Sequence, residues 1–343
     1  MQEGISQRAF PGASIAVTHR GRLIAHKGLG RYTYSWFSRR VKTSTIYDLA
    51  SLTKVLVTTA ICMRLYDQGK FHLEQKLVEV LPEFGGDDPR RSRVTFRMLL
   101  AHSSGLPAYV KLFEAAKDRT ELLAQAAQIP LAAEPGARTE YSDIGFILLG
   151  AALERLIKET LDSSCKREIF GRLDVLFIGF NLPKYPYRAW TAPTEDDTTF
   201  RHHVVQGEVH DENAWVMGGV AGHAGCFGTA YEVAIFAETL LRGGAPLFQT
   251  HTVGLFTQRQ ASPAGTSRAM GWDTPSQPSQ SGKYFSLRSY GHLGYTGTSL
   301  WIDPERHLSV TLLTNRTWPD RSSQAIKQIR PAFHDAVVEA IDQ

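Results

Sequence analysis

Two side chains that could do chemistry together are Ser51 and Lys54, in the run Ser-Leu-Thr-Lys. If Ser51 begins a helix, residues three apart share a face, and the two side chains are neighbours. The positive end of the helix would then stabilise negative charge developing on the serine oxygen. Lys54 precedes an apolar run, and burial there is expected to lower its pKa so that it accepts a proton. The pair suggests a lysine-activated serine nucleophile, although an isolated match of this kind more often marks a helix cap and a surface lysine.

The run Tyr141–Asp143 (YSD) lies between a Pro-Gly turn at 135–136 and an apolar stretch from residue 144. A tyrosine near an ammonium group can act as a phenolate-type base or relay a proton. Asp143 at the start of the apolar stretch could also act only as a helix N-cap. The run therefore supplies a candidate general base, with capping as the alternative.

The third run, His292–Gly294 (HLG), precedes Tyr295 on a predicted strand. A glycine within a strand marks either a bulge or a place where a ligand approaches the backbone closely. Taken alone, this run favours neither interpretation.

The elements that would position these runs can be read from hydrophobic periodicity. A hairpin is predicted over 13–18 and 23–27, with Gly21 in its turn, and a helix over 51–68 that ends at Gly69. Residues 181–212 lack periodicity and are predicted to form a long functional loop. Further helices are predicted at 94–100, 119–128, 144–156, 231–242 and 322–341, and further strands at 284–287, 290–296, 299–302 and 308–314.

Strands therefore occur near both ends of the chain, with helices between them. This order predicts an α+β fold in which both ends build one mostly antiparallel sheet around an inserted all-α section. We expect residues 1–49 and 225–343 to form a mixed lobe and residues 50–224 a helical lobe. The three runs can meet only in a cleft between these lobes.

Composition narrows the function classes. The chain has 343 residues, of which 43% are hydrophobic and 21% charged, as in ordinary globular proteins. The net charge is +4 and its basic residues are scattered, so nucleic acid is not an expected partner. Three widely spaced cysteines predict neither a disulfide framework nor a thiolate metal site.

No apolar run is long enough for a membrane span, and no signal peptide is recognised, which leaves a cytoplasmic protein or a mature exported form.

Several motifs in a fixed order resemble the penicillin-recognising serine hydrolases, in the branch that contains class C β-lactamases, D-Ala-D-Ala carboxypeptidases and family VIII esterases. The resemblance covers nearly the whole chain. It is carried by PGA at 11–13, SLTK at 51–54, LLAHSSGL at 99–106, PG at 135–136 leading into YSD at 141–143, and GHLGYTG at 291–297. It implies a β-lactamase/transpeptidase-like fold, with N- and C-terminal helices flanking the sheet.

The resemblance also implies a role for each matching residue. Ser51 would be the acylated nucleophile, Lys54 its proton acceptor, and Tyr141 the general base or proton shuttle. The backbone N–H groups of Ser51 and Tyr295 would form the oxyanion hole. Asp143, His292 and Gly294 would contact the substrate, and no cofactor is implied.

Two departures from the family pattern affect the expected substrate. Members commonly have Asn where this chain has Asp143, and a carboxylate cannot donate a hydrogen bond to a substrate carbonyl. Many have Lys where this chain has His292, and a histidine with a pKa of ~6.5 is mostly neutral at pH 7. Strong β-lactamase or carboxypeptidase activity is therefore not expected, and the histidine version is closer to esterases and less-studied amidases.

A histidine-rich segment includes His202, His203, His210, Asp211 and His223. Zinc is an alternative on residue type alone. The spacing fits no metal motif, so we expect these side chains to hydrogen-bond in a loop beside the cleft and expect no metal. The stretch 207–228 also resembles bacterial homologues linked to cell-wall recycling, which suggests a muropeptide substrate.

The sequence thus predicts a serine hydrolase that acts through an acyl-enzyme on a small ester or amide, with esterase activity first. One alternative is an amidase or peptidase acting on peptidoglycan fragments. Another is a non-catalytic protein that binds penicillin or a cell-wall peptide, although such a binder would not need all of Ser51, Lys54 and Tyr141. The sequence does not indicate an oligomeric state.

Overall fold

A five-stranded antiparallel sheet contains strands from both ends of the chain, in the order β2-β1-β10-β9-β8. The structure is a computed structural model that describes residues 1–342, without the side chains of residues 184 and 185. Two smaller sheets, β3-β7-β4 and β5-β6, lie outside it. The strands are β1 (Gly12–His19), β2 (Arg22–Gly30), β3 (Tyr47–Asp48), β4 (Gly179–Phe180), β5 (Glu195–Asp197), β6 (His203–Val205), β7 (Cys226–Gly228), β8 (Tyr290–Leu293), β9 (Ser299–Asp303) and β10 (Leu308–Thr314).

Helices occupy the middle of the chain and both faces of the sheet. They are α1 (Gln2–Ser6), α2 (Ala60–Asp67), α3 (Leu77–Val80), α4 (Phe96–Leu100), α5 (Arg119–Gln128), α6 (Asp143–Ile157), α7 (Leu161–Cys165), α8 (Lys184–Trp190), α9 (Glu212–Val216), α10 (Ala230–Leu241), α11 (Thr250–Thr257) and α12 (Ile326–Ile341). Short 3₁₀ turns and two π-helical turns connect some of them. No helix within residues 1–342 is both long and apolar enough to cross a membrane.

The central strand β1 is buried on both faces, because helices cover each side of the sheet. Ile15 belongs to the cluster that contains Ile326 of α12. Its neighbour Ala16 points the opposite way and belongs to the large core shared with α10. Alternation along a strand sends successive side chains to opposite faces, so the sheet forms the middle of three layers.

Helix α6 lies inside the helical region, and nine of its residues are buried, including Phe146 and Gly150. The segment around Gly222 packs against it at backbone distance. A Cβ added to Gly222 would lie 2.2 Å from the Phe146 carbonyl oxygen and 3.0 Å from the Gly150 Cα. The contact depends on glycine, and it places the following residue, His223, near the start of α6.

The predicted α+β class and the sheet from both chain ends are confirmed. The hairpin is confirmed as β1 and β2, and the helix predicted over 119–128 is α5 with the same bounds. The final helix begins at Ile326, four residues later than predicted. The lobe boundaries at 49/50 and 224/225 stay predictions.

Three local predictions are wrong. Residues 284–287 form no strand, because Ser286 donates its N–H and hydroxyl to the Asp303 carboxylate instead of to a neighbouring strand. Residues 181–212 are not a structureless loop, since they contain α8, β5 and β6. The helix predicted over 51–68 is divided into a 3₁₀ turn (Ala50–Leu52), a π-helical turn (Lys54–Thr59) and α2.

Gly222→Ala tests the contact between α6 and the 222 segment. The added methyl group has no room, and overpacking of this kind costs about 2–3 kcal/mol of unfolding free energy. Gly254→Ala in α11 is the matched control, because a Cβ there meets nothing within 4 Å. It should stabilise the protein by up to ~1 kcal/mol. Chemical denaturation of both variants measures the difference, and equal stabilities would contradict the packing described here.

Candidate active site

The turn that carries Ser51 is held in an uncommon backbone conformation. Ala50 has φ of 48°, in the left-handed region that non-glycine residues rarely adopt. Its N–H donates to the Asp48 carboxylate at 2.8 Å, and the other carboxylate oxygen accepts the His210 N–H at 2.6 Å. Such strain persists only where surrounding contacts enforce it, and it clusters at functional sites. Asp48, which the sequence analysis did not single out, therefore holds the turn before Ser51.

Lys54 lies in the π-helical turn and is completely buried. Its Nζ donates to Ser51 Oγ at 2.9 Å, to Asp143 Oδ1 at 2.7 Å and to the His223 carbonyl at 3.1 Å. An ammonium group has three donors, and all three are used here. The contact between Ser51 and Lys54 that the spacing predicted is therefore present, with two partners that the spacing could not reveal.

The expectation that Lys54 has a lowered pKa overall is wrong. Burial is the largest single effect and lowers the pKa, but the charge of Asp143 and the contacts with Tyr141 raise it more. The net result is a Lys54 pKa above its ordinary value. Lys54 is therefore an ammonium ion at neutral pH in the free protein.

Tyr141 precedes α6 and lies against the same ammonium group. Its ring centroid is 4.9 Å from Lys54 Nζ, 4.5 Å from the His102 ring and 5.3 Å from the Arg268 guanidinium. Burial raises the pKa of the Tyr141 hydroxyl, and the positive charge of Lys54 only partly opposes this. The phenol is therefore protonated at neutral pH, beside a cation that would stabilise its phenolate.

The N-cap of α6 is Ser142, whose Oγ accepts the Gly145 N–H at 3.0 Å. The alternative that Asp143 only caps this helix is therefore wrong. Asp143 occupies the first helical turn, where it pairs with Lys54, and its side chain is 19% exposed. Because Ser142 caps the helix, the Asp143 carboxylate is left to bind the lysine.

The loop after β8 is tied directly to the backbone before Ser51. Thr296 Oγ1 donates to the Asp48 carbonyl at 2.9 Å, and Thr298 Oγ1 donates to the Leu49 carbonyl at 3.0 Å. A Cβ at Gly294 would lie 1.9 Å from Thr298 Oγ1, so this approach requires glycine. These contacts bring the loop with the Tyr295 N–H beside the turn with the Ser51 N–H.

These two backbone N–H groups are the ones predicted to form an oxyanion hole. Within residues 1–342, neither the Ser51 N–H nor the Tyr295 N–H donates to another protein group. Two free N–H groups beside a nucleophilic oxygen are what a tetrahedral oxyanion needs.

His292 is buried near Tyr141, and the centroids of the two side-chain rings are 5.8 Å apart. Burial and the nearby cations Lys54 and Arg268 lower its pKa well below the usual value. Its Nδ1 contacts the Leu293 carbonyl at 2.8 Å, which makes Nδ1 the donor and leaves Nε2 as an acceptor. His292 is therefore a neutral acceptor, not a substitute for a lysine cation.

His102 is a second neutral histidine in this cluster, and it was not among the predicted site residues. Its Nδ1 accepts the Ser142 N–H at 3.0 Å, so the ring proton is on Nε2. Burial is the main cause that lowers its pKa. Its position in the LLAHSSGL motif could have indicated a role in the site, because motif residues that do not react often position the residues that do.

A cleft of about 1180 Å³ opens above Ser51. Its walls include the partly exposed aromatic side chains Tyr109 and Tyr295. Charged side chains of both signs also line it, among them Asp143, Glu195, Asp211, Glu212, Arg268, Arg316 and Arg321.

The histidine-rich segment is not gathered at one point. His203 is exposed and contacts Glu208, whereas His210 is buried against Glu195 at 2.8 Å. His223 contacts Asp211 at 2.9 Å. Within the described part of the chain, no group of three or more His, Cys, Asp or Glu side chains is placed to hold a metal ion.

A serine oxygen beside a fully coordinated lysine, a phenol and two free N–H groups can support acyl transfer. Comparison with known proteins agrees with this chemistry. The family model described as Beta-lactamase matches residues 1–331. The chain belongs to the β-lactamase family. It is therefore a serine hydrolase of that family.

Two curated relatives are similar over most of the chain. An N-acetylmuramyl-L-alanine amidase of Bacillus subtilis (strain 168) is 33% identical, over 90% of this chain and 77% of that protein. A putative D-alanyl-D-alanine carboxypeptidase of Escherichia coli (strain K12) is 30% identical, over 92% of this chain and 81% of that protein. Among solved structures, EstCE1, a hydrolase with promiscuous acyltransferase activity, has a TM-score of 0.76 at 21% identity, over 96% of both chains. That last likeness supports the fold.

Asp143→Asn tests the electrostatic balance at Lys54. The amide keeps the shape but removes the charge that raises the Lys54 pKa, so burial should then lower that pKa. If turnover requires one proton to leave the Lys54–Tyr141 pair, kcat/KM rises with pH until the pair deprotonates. We expect the rising limb of the kcat/KM profile to move to lower pH by about one unit or more in the variant. Profiles of both proteins on one ester substrate measure this, and an unmoved limb would contradict the assignment.

Proposed function

We propose that the chain is an amidase that cleaves peptidoglycan fragments through an acyl-enzyme on Ser51. The observation that carries the acyl-enzyme is the 2.9 Å contact from Lys54 Nζ to Ser51 Oγ, with Tyr141 packed against the same ammonium group. Its substrate would be an amide between a muramyl lactyl carboxyl group and the amino group of L-alanine.

In the first step Ser51 Oγ attacks the amide carbonyl carbon. A bond forms between Ser51 Oγ and the carbonyl carbon, and the Ser51 hydroxyl proton passes to the Lys54–Tyr141 pair once that pair has lost a proton. The carbonyl oxygen becomes an oxyanion that the Ser51 and Tyr295 N–H groups would receive. Removing one such donor typically lowers turnover by ~10²–10³-fold.

In the second step the carbon–nitrogen bond breaks, and the Tyr141 hydroxyl delivers the proton to the leaving amine. Its raised pKa suits this role, since a weakly acidic phenol keeps its proton until a basic amine develops. A water molecule then attacks the carbonyl carbon of the acyl-enzyme ester and gives a proton to the same pair. The bond between Ser51 Oγ and that carbon breaks, and the pair returns the proton to Ser51 Oγ. The enzyme returns to its starting protonation state.

Two observations support a peptidoglycan fragment as substrate. The relative at 33% identity is an N-acetylmuramyl-L-alanine amidase. The cleft, at about 1180 Å³, lies above the common range of small-ligand pockets and has room for a sugar and a short peptide. Its mixed charges suit a ligand that carries carboxylates, hydroxyls and amides.

The esterase expected first from the sequence is the second candidate. It is favoured by His292, which is neutral where many family members place a lysine for a substrate carboxylate. Because His292 is neutral and accepts a hydrogen bond, the substrate does not need a negatively charged group to bind beside Tyr141. This candidate uses the same acyl-enzyme on Ser51.

Intact-mass measurement after treatment with a fluorophosphonate tests the nucleophile. The wild-type protein should gain one phosphonyl group, because the reagent traps an activated serine oxygen. Ser51→Ala should gain none, and Ser92→Ala, an exposed serine outside the cleft, should react like the wild type. An unlabelled wild type would contradict the acyl-enzyme and favour the non-catalytic alternative. A labelled Ser51→Ala variant would assign the nucleophile to another residue.

A pair of substrates with the same scissile bond tests the substrate class. We expect kcat/KM for N-acetylmuramyl-L-alanine to exceed that for lactyl-L-alanine by about 100-fold or more, because binding of the sugar contributes to transition-state stabilisation. Release of free alanine is the readout, and p-nitrophenyl butyrate is assayed beside it. Turnover of the nitrophenyl ester with no alanine release would replace the amidase by the esterase.

A further inference from the structure

A loop that does not line the cleft exposes two large aromatic side chains. Trp36 is 77% exposed and Phe37 is 95% exposed. They stand at the tip of the segment 31–42, called here the aromatic loop, which follows edge strand β2. Exposed rings of this size next to each other mark an interaction surface more often than single exposed apolar residues do.

The aromatic loop is an ordered structure. Tyr32 N–H donates to the Arg39 carbonyl at 2.9 Å, and Arg31 Nη1 donates to the Ser38 carbonyl at 2.7 Å. At the tip, Thr33 N–H donates to Ser38 Oγ at 3.1 Å. These bonds hold the backbone of the loop but do not cover the two rings. The fold therefore presents Trp36 and Phe37 to the outside in a defined geometry.

Positive charge surrounds the rings without a matching acid. Arg39, Arg40 and Lys42 are exposed, and within the described residues none of them forms an ion pair with a carboxylate. Residues 4–47 contain eight Lys and Arg residues and no Asp or Glu. The net charge of +4 hides this concentration, and the expectation that the basic residues are scattered is wrong for this part of the chain.

The surface continues into a groove of about 540 Å³ at the base of the loop. Its lining residues include Tyr32, Arg39, Arg40, Phe177 and Trp190. Phe177 is 38% exposed and Trp190 is 40% exposed. Aromatic and cationic groups therefore occur together over a surface wider than the loop tip alone.

We propose that the aromatic loop and this groove dock the enzyme onto an anionic lipid surface. Tryptophan and phenylalanine rings are stabilised at the boundary between headgroups and acyl chains, and basic residues are attracted to anionic headgroups. The chain would lie on such a surface, held by the rings and by the cations around them.

The arrangement of charge favours lipid over two other occupants. In a symmetric contact with a second copy, the same basic patch would face itself, and like charges would repel. A soluble polyanion would pair with the cations but leave Phe37 in water. Only an anionic surface with an apolar layer beneath it satisfies the rings and the cations together.

Co-sedimentation with vesicles tests this proposal on the whole chain. Vesicles of phosphatidylcholine with about one-third phosphatidylglycerol should bind the wild type, and pure phosphatidylcholine should bind it much more weakly. Arg39→Gln/Arg40→Gln should weaken binding roughly 30-fold, since each basic residue near such a surface contributes about fivefold. Trp36→Ser/Phe37→Ser should weaken it at least ~10-fold and should leave hydrolysis of a soluble ester unchanged.

Leu287→Ser/Arg288→Gln is the matched control, because Leu287 is 84% exposed, Arg288 is exposed beside it, and neither residue lines the groove. This variant should bind the anionic vesicles as the wild type does. The proposal is overturned if the wild type ignores anionic vesicles, or if the control loses as much binding as the loop variants. If light scattering shows a dimer of the wild type but not of the loop variants, the surface is instead a contact with a second copy of the chain.

Discussion

The buried charge of Lys54 is the constraint on which the active site depends. An ammonium group without solvent is costly unless every donor finds an acceptor. Here the acceptors are Ser51 Oγ, the Asp143 carboxylate and the His223 carbonyl, which come from three separate parts of the chain. The requirement to satisfy one cation therefore brings Ser51, the start of α6 and the 222 segment to one point.

Each acceptor is held by a different local device. The turn that carries Ser51 is held by the buried Asp48 carboxylate. Ser142 caps α6, which leaves the Asp143 carboxylate to pair with Lys54. The His223 carbonyl is held because Gly222 lets its segment approach the α6 backbone. Strain at Ala50 and the absence of a side chain at Gly222 are thus consequences of the same site. Local rules are broken where function requires a particular geometry.

The resulting electrostatics differ from those of an isolated serine–lysine pair. Burial alone would lower the Lys54 pKa, but the Asp143 charge reverses the direction. The same cation lies against Tyr141 and disfavours the charged form of His292. Asp143 is a carboxylate where family members commonly have an asparagine. Its negative charge therefore raises the pKa of Lys54, and the positive charge of Lys54 in turn acts on the Tyr141 hydroxyl. In the proposed mechanism the proton acceptor is therefore the pair of Lys54 and Tyr141 together.

Sequence alone determined the fold class, the hairpin, helix α5 and the residue types of the candidate site, because these follow from hydrophobic periodicity and from motifs in a fixed order. It did not reveal the breaks within residues 50–59 or the absence of a strand at 284–287, since side chains such as Asp303 compete there with the backbone pattern. Asp48 and His102 were missed as parts of the site for the same reason. The direction of the Lys54 pKa shift was decided only by tertiary structure, because it depends on the distance to a carboxylate 89 residues away in the chain.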